Sequence, residues 1–161
     1  LYLNQSIASL DLYGSMGAFV CTIDGFNYIL APKALENALR RIRTCFLDPD
    51  GILIFDVSSR YKLKNVIGSN IFIRSEEDLF YAWRNRYIKK HNISDMLLDF
   101  FVKDGIGYRR FEERHLQRAW SEDELRFMLN RAGFTKVHTY GYMTFDPPAR
   151  ECERIVFAAL P

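Results

Sequence analysis

Apolar positions fall along this chain in two rhythms, and the change from one to the other marks its organisation. Residues 18–23 (AFVCTI) are a nearly unbroken apolar run of strand-favouring types. Such a run predicts a parallel strand buried on both faces. From Pro32 the period becomes helical: Leu35, Ala38, Leu39, Ile42 and Phe46 share one stripe, while Lys33, Glu36, Arg40 and Arg43 face away. Pro32 suits the first helical position, because the N–H it lacks has no intrahelical partner there. Asp48-Pro49-Asp50-Gly51 has the composition of a turn, and residues 52–57 (ILIFDV) predict a second buried strand. Strand, helix, turn and strand in that order make a βαβ unit and hence a parallel sheet.

After Asn70 shorter alternating segments take over. Residues 71–73, 80–88, 96–102 and 108–119 are rich in strand formers and are punctuated by Asn92 and by Asp104-Gly105-Ile106-Gly107. They predict an antiparallel meander inserted over 71–119. Helical pattern returns at Ser121-Glu122-Asp123-Glu124, a capping-box sequence followed by a stripe of Leu125, Met128, Leu129 and Ala132 and a stop at Gly133. Two closing strands are expected at 136–142 and 154–159, with a loop around Pro147-Pro148 between them. The whole is read as one domain over 1–161, without internal repeats.

Composition narrows the function classes. A net charge of +2 is too small for a nucleic-acid or anionic-membrane footprint. No run approaches the roughly 20 apolar residues needed to span a bilayer. Cys21, Cys45 and Cys152 are too scattered for a disulfide framework or a metal cluster, a pattern that fits a reducing cytoplasm. His91 and His138 have no acidic or Cys neighbours at ligand spacing, so no metal site is expected.

Four ordered strings carry a family resemblance. They are Cys21-Thr22-Ile23-Asp24-Gly25-Phe26-Asn27-Tyr28-Ile29-Leu30, Leu47-Asp48-Pro49-Asp50-Gly51 with the strand after it, His115-Leu116-Gln117-Arg118-Ala119-Trp120-Ser121, and Ala132-Gly133-Phe134. Together they resemble the C-terminal part of a class I S-adenosylmethionine-dependent methyltransferase, from just before its fourth strand. The resemblance implies an α/β fold: part of a Rossmann-like sheet of parallel strands with a final antiparallel strand, and the meander as an acceptor-side cap. It implies methyl transfer from S-adenosylmethionine to a small-molecule acceptor, in a cytoplasmic enzyme. The family's glycine-rich cofactor loop is not matched, since no G-x-G-x-G occurs in the chain. Ser6 stands where the family usually has an adenine-binding Asp, and Met16-Gly17 where it has Phe-Asp. This chain alone is therefore expected to bind the cofactor poorly. The strand from Ala18 to Ile23 is expected to need cover along its free edge, from an N-terminal segment or a second copy in a homodimer. The alternative is a non-catalytic binding or oligomerisation module that keeps part of the fold.

The resemblance assigns cofactor contacts to Ser6, Cys21, Thr22, Ile23, Asp24 and Asn27. Ser58, Arg60 and Tyr61, just after the second strand, are candidates for the acceptor pocket, and His115 is the candidate base. Each has a plainer reading. Asp24-Gly25 makes a turn and Asn27 a helix cap. Arg60 is equally a solvated loop residue. His115 is equally a strand-surface residue in a structural hydrogen bond. Phe80, Tyr81, Trp83 and Trp120 suit a cap over the site or ordinary sheet packing.

Overall fold

The computed structural model describes residues 2–161. Its elements are β1 (Met16–Cys21), α1 (Pro32–Arg41), β2 (Leu47–Ser58), β3 (Ile71–Ser75), β4 (Leu79–Ile88), β5 (Ile93–Asp104), β6 (Gly107–Arg118), α2 (Glu122–Ala132), β7 (Lys136–Gly141) and β8 (Arg154–Leu160). They form two four-stranded sheets, ordered β1-β2-β8-β7 and β3-β4-β5-β6. β1 and β2 are parallel, whereas β8 runs antiparallel to both β2 and β7. The second sheet is antiparallel throughout, as expected of the meander.

The local signals in the sequence have physical counterparts. Pro32 opens α1, and the helix continues through one wider turn to Phe46. At α2 the Ser121 side chain accepts from Glu124 N–H while the Glu124 carboxylate accepts from Ser121 N–H. Gly133 ends that helix at φ 99°, a conformation costly for any residue with a Cβ.

The main core lies between α1, α2 and one face of the first sheet. Leu53, Phe55 and Val57 of β2 meet Phe157 and Ala159 of β8, with the Phe55 and Phe157 rings stacked at 4.8 Å. Two expectations are corrected here. β1 is not buried on both faces: Phe19 and Cys21 pack against the core, while Ala18 and Val20 are exposed. Both helices cover the same side of the sheet, so among the described residues the opposite side has no layer of its own. The predicted turn at 48–51 is instead a large irregularity within β2. Met16 pairs with Leu47 and Ala18 with Ile52, so four residues stand opposite the single Gly17. Turn-forming residues thus bulge from a strand without ending it.

In the second sheet, alternation splits two faces. Tyr81, Trp83, Met96, Leu98, Phe100, His115 and Gln117 point to one side. The other carries an ionic lattice in which Asp95 sits between Arg86 and Arg114, and Asp99 between Arg84 and Arg110. Hydrogen bonds from Arg114, and then from Arg86, hold the Asp95 carboxyl below its usual range against the opposing effect of burial.

Candidate functional site

The site is built where β1 and β2 end and the second sheet folds over them. After Cys21 the chain turns sharply, and Ile23 and Asp24 both take positive φ, 58° and 52°. A β-branched residue there is strained by about 1–3 kcal/mol, so other contacts must hold it. Asp56 supplies them. Its carboxylate accepts Ile23 N–H at 3.0 Å and Asp24 N–H at 2.7 Å, clamping two successive amides. Arg154, at the start of β8, bonds Asp56 Oδ1 through one Nη and brings the other to 2.5 Å from Asp24 Oδ1. The Asp24 contact is an ion pair without hydrogen-bond alignment. Gln117 Nε2 donates to Asp24 Oδ2 at 2.8 Å, tying the second sheet to this loop.

Asn27 makes three further ties. It is fully buried, donates to Ser58 O (3.0 Å) and Arg118 O (2.9 Å), and accepts from Ser58 N–H (3.0 Å). One side chain thereby joins the ends of β2 and β6 to the turn after β1. Burial chiefly, with the negative charge of Asp56, pushes the Cys21 thiol up to about 11.

A cavity of about 410 Å³ lies between this loop and the inner face of the second sheet. Asp24, Tyr28, Ser58, Lys62, His115 and Gln117 form its polar end, and Tyr81, Trp83, Met96, Leu98 and Phe100 its apolar end. Inside it, His115 Nδ1 is 3.1 Å from Tyr28 Oη, and His115 Nε2 is 3.2 Å from Glu113 Oε2. An ionised carboxylate only accepts, so Nε2 carries the proton toward Glu113 and Nδ1 is left to accept from the Tyr28 hydroxyl. A broader depression beside it is lined by the loop between β7 and β8 and shares Lys62.

The residues singled out from sequence fall into three groups. Asp24, Ser58 and His115 meet in the cavity. Cys21, Thr22 and Ile23 stand at the end of edge strand β1, with Ile23 exposed. Asn27, Arg60, Tyr61 and Ser6 do not line the cavity. Asn27 has its amide engaged by backbone, and Arg60 donates to Ala119 O and pairs with Glu124 at 2.8 Å, bracing the start of α2. Tyr61 precedes the helical turn Lys62–Ile67, and Lys62 and Ile67 are the residues of that stretch that reach the cavity. Ser6 is exposed and caps the short turn Ile7–Ser9, accepting from Ala8 N–H. Sequence reasoning missed Asp56, Arg154, Gln117 and Tyr28. For Asp56 a signal existed: it is the one charge inside the apolar run 52–57.

No protein-family profile matches the chain. It is 31% identical over 163 residues to a Bacillus subtilis (strain 168) protein named "Putative methyltransferase YqeM", covering 99% of this chain and 64% of the relative. A Geobacillus sp. (strain WCH70) protein likewise named a putative methyltransferase is 29% identical over 159 residues, covering 98% and 64%. The chain thus spans 64% of the length of these curated relatives. Among solved structures, a S-adenosylmethionine-dependent methyltransferase from Clostridium acetobutylicum ATCC 824 superposes with a TM-score of 0.90 at 28% identity, over 97% of this chain and 62% of that one. With this likeness and the mixed sheet order, the chain has a class I S-adenosylmethionine-dependent methyltransferase-like fold.

Proposed function

We propose that the protein transfers a methyl group from S-adenosylmethionine to a small-molecule acceptor, and that this chain supplies the acceptor side and one flank of the cofactor site. The observation carrying this reading is the cavity, which joins the end of β1 to the chain Tyr28–His115–Glu113. The residues present fit the cofactor on that flank. Asp24 and Asp56 are two carboxylates opposed by the one guanidinium of Arg154, a balance that favours a cationic sulfonium. Thr22 and the exposed Ile23 offer a polar and an apolar contact at the open edge of β1. With no G-x-G-x-G in the chain, its other end is not held by these residues.

When bound, the cofactor supplies a methyl group already activated by the sulfonium, so the protein's task is orientation, exclusion of water and proton removal. The inner face of the second sheet orients the acceptor. Tyr28 Oη takes the proton of the acceptor N–H or O–H as its own proton passes to His115 Nδ1, and Glu113 stabilises the imidazolium. Gln117 holds Asp24 at the polar end.

The test is release of S-adenosylhomocysteine when the protein receives S-adenosylmethionine and pools of small N–H and O–H acceptors. Turnover should fall about 10²-fold in His115→Asn, with a smaller fall in Tyr28→Phe. Calorimetry on these 161 residues alone should show weak cofactor binding or none. Absence of turnover in every pool, for a protein spanning the relatives' full length, would sink the reading.

A further inference from the structure

The apolar end of the cavity is unusual in its composition. Tyr81 and Trp83 on β4 stand opposite Phe100 and Leu98 on β5, Met96 is next along that face of β5, and Tyr28 also lines the cavity. The rings fall into two groups. Tyr81 lies 5.6 Å from Phe100, Phe100 stacks on Phe111 at 5.0 Å and 18°, and Trp83 lies 5.2 Å from Phe72. Trp83 Nε1–H is shielded from solvent and has no partner among the described residues, an unmatched donor in this wall. A volume of about 410 Å³ falls in the range of small-molecule sites. It suits a compact ring system better than a long acyl chain. Asp24, His115 and Gln117 gather toward the end of β6, away from Tyr81 and Phe100.

From this polarity, and resting on the reading of the cavity as the acceptor site, we infer that the acceptor is a planar aromatic molecule whose reactive O–H or N–H is attached to the ring. Its flat body lies among Tyr81, Trp83 and Phe100, where ring–ring contact adds to simple burial. Its nucleophilic atom then meets Tyr28 and His115 at the polar end. A saturated sugar amine offers these walls a C–H face in place of a π face and so forgoes the ring–ring contribution.

The chain carries a built-in reporter. Its four methionines are Met16, Met96, Met128 and Met143, and Met96 is the one that lines this cavity. With methionine methyl groups labelled with carbon-13, 2-naphthol should shift the Met96 methyl resonance saturably through its ring current and leave Met128 unmoved. Decahydro-2-naphthol, with the same skeleton and hydroxyl but no ring current, and glucosamine are followed by competition against that shift. Each should bind at least about tenfold more weakly. Trp83→Leu, which removes a ring, should weaken 2-naphthol about tenfold, while Trp83→Phe keeps most of the affinity and guards against a mere folding defect. The inference is overturned if decahydro-2-naphthol competes as well as 2-naphthol binds, if glucosamine binds more tightly, or if the Met96 signal does not move. No cofactor enters this measurement. An aromatic-selective Met96 shift without turnover would defeat the methyl-transfer reading and leave only an aromatic ligand site, whereas turnover without aromatic preference would defeat the inference alone.

Discussion

Asn27 should be the residue on which the site's assembly depends most. Truncation by Asn27→Ala removes three hydrogen bonds in a region that excludes water. Each contributes about 1 kcal/mol net, and Ser58 N–H, Ser58 O and Arg118 O are left wanting partners, so the expected loss is about 3–5 kcal/mol. For a chain of 161 residues that corresponds to a fall in the melting midpoint of roughly 6–20 °C. The more discriminating variant is Asn27→Asp, which keeps the volume. One carboxylate oxygen still accepts from Ser58 N–H, but the other faces two carbonyl oxygens in place of donating to them. At pH 7 Asn27→Asp should be at least as destabilising as Asn27→Ala. Because the charged form is disfavoured when folded, its folded pKa is raised. Its deficit should then shrink as pH falls from the folded value toward the unfolded value of about 4. Urea unfolding followed by tryptophan emission in a Trp83→Phe background, which leaves Trp120, reads this locally, since Trp120 Nε1 donates to Phe26 O beside Asn27. If Asn27→Asp lies within about 1 kcal/mol of the unmodified protein at pH 7, the directional account is wrong and the site merely needs filling.

Ser121→Ala should lose about 1 kcal/mol in the same urea assay, because the hydroxyl that accepts from Glu124 N–H goes while the backbone half of the α2 capping box stays; an unchanged midpoint would refute the assignment. Against the upward push of partial burial, hydrogen bonds from Ser121 and the charges of Arg60 and Arg118 hold the Glu124 carboxyl below its usual range. Its contribution is therefore complete above the unfolded value of about 4.3 and lost as pH falls through the folded value. The gap between the unmodified protein and Glu124→Gln should close in acid, and a gap constant from pH 7 to pH 3 would contradict this. With the Cys21 thiol near 11, about one in a thousand is ionised at pH 8, so iodoacetamide should modify exposed Cys45 at least tenfold faster than Cys21. Mass spectrometry of the labelled peptides showing equal rates would overturn that environment.

What could be read in advance followed from local chemistry. Periodicity located the strands of the meander, since alternation at 80–88 and 108–119 reflects one face turned to the cavity and another to solvent. Ser121 and Glu124 announced the start of α2 because a capping box is complete within four residues. Strand burial was misjudged for a non-local reason: an apolar run states what can be covered, not what covers it. Ala18 and Val20 are as apolar as a two-sided strand requires, yet both helices lie on the other side. At 48–51 the residues do turn the chain, but Met16 and Ala18 pair on either side and make the turn a bulge. The positive φ of Ile23 was hidden because neither its β-branched type nor its neighbours call for it. Asp56, 33 positions along, imposes it.

That clamp also explains why the final strand must run backwards. Ligand sites on parallel sheets lie beyond the carboxyl ends of the strands, where β1 and β2 deliver Asp24, Asp56 and Ser58. A further parallel strand would bring another carboxyl end to that rim. β8, being antiparallel, brings its first residue instead, and the register pairs Arg154 directly with Ser58. The guanidinium thus reaches two carboxylates from 98 residues beyond Asp56 in sequence. β6 ends at the same rim, placing Gln117 on Asp24 and Arg118 O on Asn27. Two sheets of different construction are therefore joined at one place by polar ties, and the cavity opens beside that joint. Loosening the joint should move the aromatic wall relative to Asp24, so damage at Asn27 or Asp56 should appear as lost acceptor binding even though neither residue lines the cavity.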